Sequence, residues 1–166
     1  DNILTLHYDL VNKTYQHGKY QDFFVYDPKK RHIHKASIQD RVPHHLIYTY
    51  LCQLFNATFI YDSYSCRLEK GTHGGVLRLE KFTRIVSKNY KRNCWILNLD
   101  IKKFFASVDH KILIKLLSKK IEDPDILWLL VNIVDSFHSD SGENELIPVG
   151  NLNSQIFANI YMNVLD

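Results

Sequence analysis

Apolar residues recur along most of this chain at the three- and four-residue spacing of amphipathic helices. Ile3, Leu6, Leu10 and Val11 mark a first helix. The stretch YQDFFVYDPKKRHIHKASI then changes character. Aromatic and β-branched residues flank Asp27-Pro28-Lys29-Lys30, a turn signal followed by Arg31, and predict a β-hairpin with a basic tip. Pro43 is placed to open a helix whose apolar face is Leu46, Ile47, Tyr50, Leu51, Leu54 and Phe55. SYSCRLEKGTHGG reads as a loop, and GVLRLEKFTRIVSKNY as a helix with Leu79, Phe82, Ile85, Val86 and Tyr90 on one side. Residues 95–105 are the best strand candidate. Ser107 or Asp109 caps the next helix, with Leu113, Leu116, Leu117 and Ile121 inward. Asp123-Pro124 starts another, with Ile126, Leu127, Leu130, Val131, Val134 and Phe137 as its core face. HSDSGENE is a polar loop, and LIPVGNLNSQ is a turn-rich approach to a last helix carrying Ile156, Phe157, Ile160, Tyr161, Val164 and Leu165. The order of elements predicts a mixed α and β chain with more helix than sheet, without internal repeats.

Composition changes this picture little. With 166 residues, 45% hydrophobic and 23% charged, the chain suits one soluble domain or part of a larger one. A net charge of +3 permits a nucleic-acid partner but is shared by many small enzymes. Cys52, Cys66 and Cys94 form no Cys-x-x-Cys pair and read as reduced thiols of an intracellular protein. No apolar run approaches a membrane span and no signal peptide opens the chain, so a cytoplasmic location is expected. The chain begins at Asp1 and stops inside the helical pattern NIYMNVLD, so a piece of a longer polypeptide is expected.

The pattern singles out Asp100. Ile96, Leu97, Asn98 and Leu99 alternate imperfectly before it, which predicts a strand buried on at least one face and ending in a carboxylate. Such a group is costly to bury unless a cation or hydrogen-bond donors meet it. It is therefore either a helix or turn cap, or a metal ligand. Phosphoryl-transfer sites hold Mg²⁺ with few carboxylates, because that ion keeps part of its water shell and also binds substrate phosphate. Lys29, Lys30 and Arg31 are either a solvated turn or an anion clamp, for which the planar fork of Arg is suited. His32, His34, His44 and His45 have no Cys or carboxylate at ligand spacing and read as core or surface histidines rather than zinc ligands. KGTHGG lacks the strand, loop and helix order of a nucleotide P-loop.

LDIKKFFASVDH resembles the first catalytic motif of reverse transcriptases, in which an Asp closes a strand and an aromatic, here Phe105, follows five positions later. IPVGNLNSQIFANIYMN resembles the later motif that supports the incoming nucleotide and template. YQDFFVYDPKKRHIHKASIQDRVPHHLIY and FIYDSYSCRLEKGTHGGVLRL resemble the fingers segments of bacterial members. These four segments stand in the family's order and cover nearly the whole chain. Most members carry Gln before the glycine and Pro after the serine of the second motif. Val149 and Gln155 occupy those places here, which resembles the diversity-generating retroelement branch, akin to group II intron enzymes, whose members copy template RNA with frequent errors at adenine.

The resemblance implies a role for each residue. Asp100 bridges two Mg²⁺ ions (Mn²⁺ is the alternative), one at the primer 3′-hydroxyl and one at the triphosphate, and the Ile101 carbonyl is a further ligand. Backbone N–H groups around Lys103 and Phe104 face the phosphates. Phe105 lies beneath the sugar, where a ring leaves no room for a 2′-hydroxyl. Core packing of Phe104 or Phe105 is the competing reading, and on strand geometry one of the two points inward. Arg31 clamps the triphosphate, with Lys30 as helper. Val149 offers an aliphatic contact without directional bonds, which suits an error-prone copier, and Gly150 permits close backbone approach. Arg41 and Arg67 touch template phosphates or pair with nearby Asp. Asn151 and Gln155 are assigned to template and primer, although Ser154-Gln155 also reads as a plain helix N-terminus.

The fold class implied is α+β, helix-rich with a small antiparallel sheet, as the fingers and partial palm of a right-hand polymerase. Fingers would occupy 1–94 and 110–146, and partial palm 95–109 and 147–166, with the remaining palm and thumb absent. The function expected of the parent is RNA-directed DNA synthesis, with an RNA template, a DNA or RNA primer, deoxynucleoside triphosphates and an accessory protein as partners, and no membrane. The family's Tyr-x-Asp-Asp hairpin is expected after the last helix. The 166 residues alone are therefore expected to be inactive, to bind metal poorly and to self-associate through an exposed palm edge. The alternatives are a non-catalytic nucleic-acid- or protein-binding module derived from a polymerase, and an RNA-dependent RNA polymerase, against which Phe105 weighs.

Overall fold

The helix that organises the fold starts where Ser37 and Asp40 cap each other. In the computed structural model, which describes residues 2–67, 69–137, 147–148 and 150–166, Ser37 Oγ accepts from the Asp40 N–H at 3.1 Å and donates to Asp40 Oδ2 at 2.6 Å. Helix α2 then runs Ile38–Phe55. Patterning predicts a start at Pro43, and the structure corrects this. The cap satisfies the Asp40 N–H and starts the helix five residues earlier, and Pro43 is carried inside the helix on its buried face. The face beneath it is Pro43, His44, Ile47, Leu51 and Phe55, while Leu46 turns to solvent.

The other elements are α1 (Asn2–Val11), the hairpin of β1 (Gln21–Val25) and β2 (Arg31–Lys35), α3 (Gly71–Val86), α4 (Phe104–Ser107), α5 (His110–Ser118), α6 (Pro124–Asp135) and α7 (Leu152–Met162). The hairpin is antiparallel, with Val25 opposite Arg31 and Phe23 opposite Ile33, and is the only sheet among the described residues. The fold is thus α+β and helix-rich. Asp109 caps α5 by accepting from the Lys111 and Ile112 N–H groups. Asp123 caps α6 in the same way, with Pro124 leading the helix. Helix α2 lies against α7, α5 lies against α6 and α7, and α1 and α6 reach α2. Their shared core includes Leu6, Ile47, Leu51, Leu113, Leu117, Leu130, Ile156, Phe157 and Ile160.

Three other expectations need correction. Residues 95–101 form no strand, and Trp95, Leu97 and Leu99 are 95, 81 and 80% exposed. Strand propensity is realised only by pairing, and among the described residues no strand lies beside this run. Phe104 and Phe105 instead open the short helix α4. Residues 71–75, read as loop, are the first turns of α3, where Gly74 and Gly75 pass close against the Tyr64 ring. The apolar face expected of α3 is not buried: Ile85 and Val86 are more than half exposed. Val131, Val164 and Leu165, expected to face inward, are exposed, the last two beyond the end of α7. The polar loop expected at HSDSGENE lies outside the described residues.

A polar knot ties the segment after α1 to α2. Tyr15 is buried and donates to Asp40 Oδ1 at 2.8 Å, and the Gly18 N–H donates to the same oxygen at 3.3 Å. Burial pushes the Asp40 carboxyl upward, but hydrogen bonds from Ser37 and Tyr15, the nearby His17 and the Gly18 amide outweigh it and hold the group below the usual carboxylate range. His44 Nε2 lies 3.0 Å from His17 Nε2. Burial first, and His17 second, push the His44 imidazole down to about 4, with Asp40 opposing.

This lowered value fixes a pH window. His44 is neutral when folded, whereas the unfolded chain takes up a proton near its ordinary 6.5. Its stabilisation is present above pH 6.5 and is lost as pH falls toward 4, by at most about 3 kcal/mol. Urea unfolding at pH 7.5, 5.5 and 4.5 should show this loss, and His44→Gln should flatten it. An equal slope in the variant would assign the loss to other groups.

Candidate functional site

Asp100 stands at the end of the unpaired run, and its side chain and that of Ile101 are exposed. The chain then turns at Lys102 and Lys103. Lys103 adopts the left-handed conformation, with φ 55° and ψ 39°, which costs a non-glycine residue about 1–2 kcal/mol. The reversal carries Phe104 and Phe105 onto the core. Their rings meet edge to face at 5.5 Å, Phe104 lies 6.3 Å from the Tyr161 ring, and the Phe105 carbonyl accepts from the Ile147 N–H at 3.1 Å. Both aromatics are half-buried against the core, so one exposed carboxylate is presented beside a firmly anchored turn.

A second feature lies at the foot of the hairpin. A cleft of about 550 Å³ opens between the end of β2, the start of α2 and the turn at 150–152. Lys35, Arg41 and His45 line it with Gly150 and Asn151, and among the described residues no acidic side chain does. Cations without a carboxylate favour an anionic ligand. Asn151 forms part of the wall but is itself buried, with Nδ2 donating to the His34 carbonyl at 2.7 Å and Oδ1 accepting from the Ala36 N–H at 3.4 Å. Arg41 Nε donates to the Ala36 carbonyl at 3.1 Å.

The residues singled out from sequence therefore fall into groups. Arg41, Gly150 and Asn151 share the cleft. Asp100, Ile101, Lys103, Phe104 and Phe105 share the anchored turn. Lys30 and Arg31 sit at the exposed start of β2, with Lys30 Nζ 4.3 Å from the Phe24 ring centre. Arg67 is elsewhere: it donates to Asn56, to the Ile60 carbonyl and to the Ser63 carbonyl, bracing the loop after α2. Gln155 is exposed on α7 and accepts from Cys66 Sγ at 2.7 Å, while Asn159 Nδ2 donates to the Ser65 carbonyl, so this loop docks on α7. Val149 lies outside the described residues. Sequence reading missed Lys35 and His45, whose only signal was their place beside the β2 end and beside His44. Asp100 and the Ile101 carbonyl are hard oxygen donors of the type Mg²⁺ takes, but two fall short of an octahedral set, and among the described residues no group of three His, Cys, Asp or Glu side chains gathers to hold a metal.

Comparison with known proteins gives a consistent result. A family model described as reverse transcriptase (RNA-dependent DNA polymerase) matches residues 26–166. The chain is similar to the putative COX1/OXI3 intron 2 protein of Saccharomyces cerevisiae, with 30% identity over 68% of this chain and 13% of that protein. It is 24% identical to protein YkfC of Escherichia coli, over 86% of this chain and 39% of the other. It is 26% identical to an uncharacterized 91 kDa protein in the cob intron of Schizosaccharomyces pombe, over 95% of this chain and 20% of that one. The chain therefore spans well under half the length of each of these relatives.

The Arg67 brace has a measurable consequence. Arg67→Ala removes hydrogen bonds from a charged donor to partly solvated acceptors, and should lower stability by about 1–2 kcal/mol. Limited proteolysis should then cut residues 56–67 faster, while the helical core resists. Unchanged cleavage there would leave Arg67 without the bracing role.

Proposed function

The chain belongs to the reverse transcriptase (RNA-dependent DNA polymerase) family, and from that premise we propose that the intact protein adds deoxynucleotides to a primer 3′-hydroxyl on an RNA template. The observation that carries this reading is the turn at 100–105, where an exposed carboxylate adjoins a pair of core-anchored aromatic rings. In this reading residues 1–94 and 110–146 are fingers, and 95–109 and 147–166 are part of the palm. The exposed apolar run at 95–99 becomes a palm strand when later segments of the longer protein pair with it.

Asp100 and the Ile101 carbonyl would hold divalent metal, with the remaining ligands supplied from outside these residues. When bound, such ions supply positive charge to both the attacking and the leaving oxygens of an in-line displacement. The chain's own residues bind and orient. Lys30 and Arg31 hold the triphosphate from the hairpin, as cations presenting several donors. Lys35, Arg41 and His45 hold the nucleic-acid backbone in the cleft, where charge and shape suffice because a copier must ignore sequence. Phe105, fixed through its carbonyl and its neighbour Phe104, closes the space beneath the sugar against a 2′-hydroxyl. Val149 and Gln155, in the places usually held by Gln and Pro, support a retroelement copier of low fidelity.

Primer extension with the intact protein tests the scheme. Asp100→Asn should lower incorporation at least about a thousandfold, since several kcal/mol of metal-borne stabilisation depend on that carboxylate. Template–primer affinity should hardly change. Phe105→Ala should admit ribonucleotides, and Val149→Gln should reduce misincorporation at adenine. Normal extension by Asp100→Asn would refute the polymerase assignment. If the wild type binds template yet extends nothing, the binding-module alternative stands.

A further inference from the structure

On the reading that Lys30 and Arg31 hold the triphosphate, we infer that Asn151 is a positioning residue that sets the reach of the basic hairpin, and not a contact to the template. Its side chain is 8% exposed and both ends of its amide are occupied. Nδ2 donates to the His34 carbonyl at 2.7 Å, and Oδ1 accepts from the Ala36 N–H at 3.4 Å. Arg41 Nε takes the Ala36 carbonyl from the other side at 3.1 Å. The residue that follows β2 is thus gripped between α2 and the turn that precedes α7. Beside it, Gly150 has a left-handed φ of +101°, and a Cβ there would fall 2.6 Å from Ile33 Cγ2. Only glycine lets this backbone lie so close to the strand.

These contacts fall on Ile33 in the middle of β2 and on His34 and Ala36 at its end, and none on the tip. Lys30 and Arg31 stand beyond them, so the tip is a short cantilever. At a strand rise of about 3.3 Å per residue, Arg31 is roughly 7 Å along the chain from Ile33 and roughly 16 Å from Ala36, and a rotation at the clasp is carried to the cations. A two-stranded hairpin is marginal alone in water, which makes this clasp the determinant of where the tip rests. The amide suits the task because it carries a donor at one corner and an acceptor at the other. Asp lacks the donor and Leu lacks both.

The test uses the intact protein with Asn151→Ala and the milder Asn151→Ser, whose hydroxyl can keep one of the two bonds. Loss of two buried hydrogen bonds in Asn151→Ala should raise the KM for deoxynucleoside triphosphate about tenfold with kcat within about threefold. Hydrogen exchange over 21–35 should quicken by at least about tenfold while α2 and α5–α7 keep their protection. Template–primer Kd should weaken by no more than about threefold, since Arg41 and His45 are held by α2, and Asn151→Ser should lie between wild type and Asn151→Ala. Where Asn151→Ala does not fold, Asn151→Ser carries the comparison by itself. Weakened template affinity with an unchanged KM would overturn the inference in favour of direct template contact. Unchanged hairpin exchange would overturn it as well, and so would faster exchange without a rise in KM. An intact wild type that incorporates no nucleotide would defeat the polymerase reading and the reach to the nucleotide, while exchange at 21–35 would still decide whether the clasp exists.

Discussion

A hairpin of two five-residue strands does not hold itself together in water. Every residue of β1 is exposed, and of β2 only His34 is buried. The hairpin owes its place to the seam where its last residues meet the turn before α7, through Gly150 against Ile33 and the amide of Asn151. The Phe137 ring, edge-on to both His34 and Tyr20, closes the same seam from the end of α6. The architecture therefore divides into a helical body stabilised by apolar burial and an arm stabilised by a few directional contacts. In the first a lost contact is one among many packed neighbours, whereas in the second it falls on a single seam.

The helical body was largely legible in the sequence because its signals are local. Asp109 and Asp123 cap α5 and α6, and the proline after Asp123 leads the helix, as the residue order implies. The hairpin was legible for the same reason. The start of α2 was not, since Pro43 is a stronger visible mark than the pairing of Ser37 with Asp40, whose strength depends on Tyr15 and Gly18 arriving from elsewhere. The run at 95–101 shows the opposite failure. Its residues are suited to a strand, but a strand exists only with a neighbour, and periodicity says nothing about whether a neighbour is at hand.

The candidate site was legible in its chemistry and not in its geometry. The roles of Asp100, Phe105 and Gly150 came from motif likeness, while the basic hairpin came from its turn signal; spacing alone left a cap open for Asp100 and core packing open for Phe105. The structure adds what no motif contains. Lys35 and His45 join Arg41 in one cleft, Arg67 is occupied as a loop brace, and Asn151 is turned inward. The cleft and the inward turn of Asn151 depend on residues more than a hundred positions apart, as in its contacts with His34 and Ala36, while the Arg67 brace is local but rests on backbone carbonyls that no side-chain pattern marks.

The turn at Lys103 shows how the two kinds of information combine. A left-handed lysine costs about 1–2 kcal/mol, and nothing in its own side chain repays that. Phe104 and Phe105 do: full burial of such a ring is worth about 1.5–3 kcal/mol, and here two half-buried rings and the bond from Ile147 to the Phe105 carbonyl act together. The sum exceeds the strain. Position is thus imposed on Asp100 from behind, by the anchoring of residues four and five places later, while the carboxylate itself stays exposed to solvent. The turn is thus anchored without using the carboxylate, which stays open to solvent and to whatever ligand it meets.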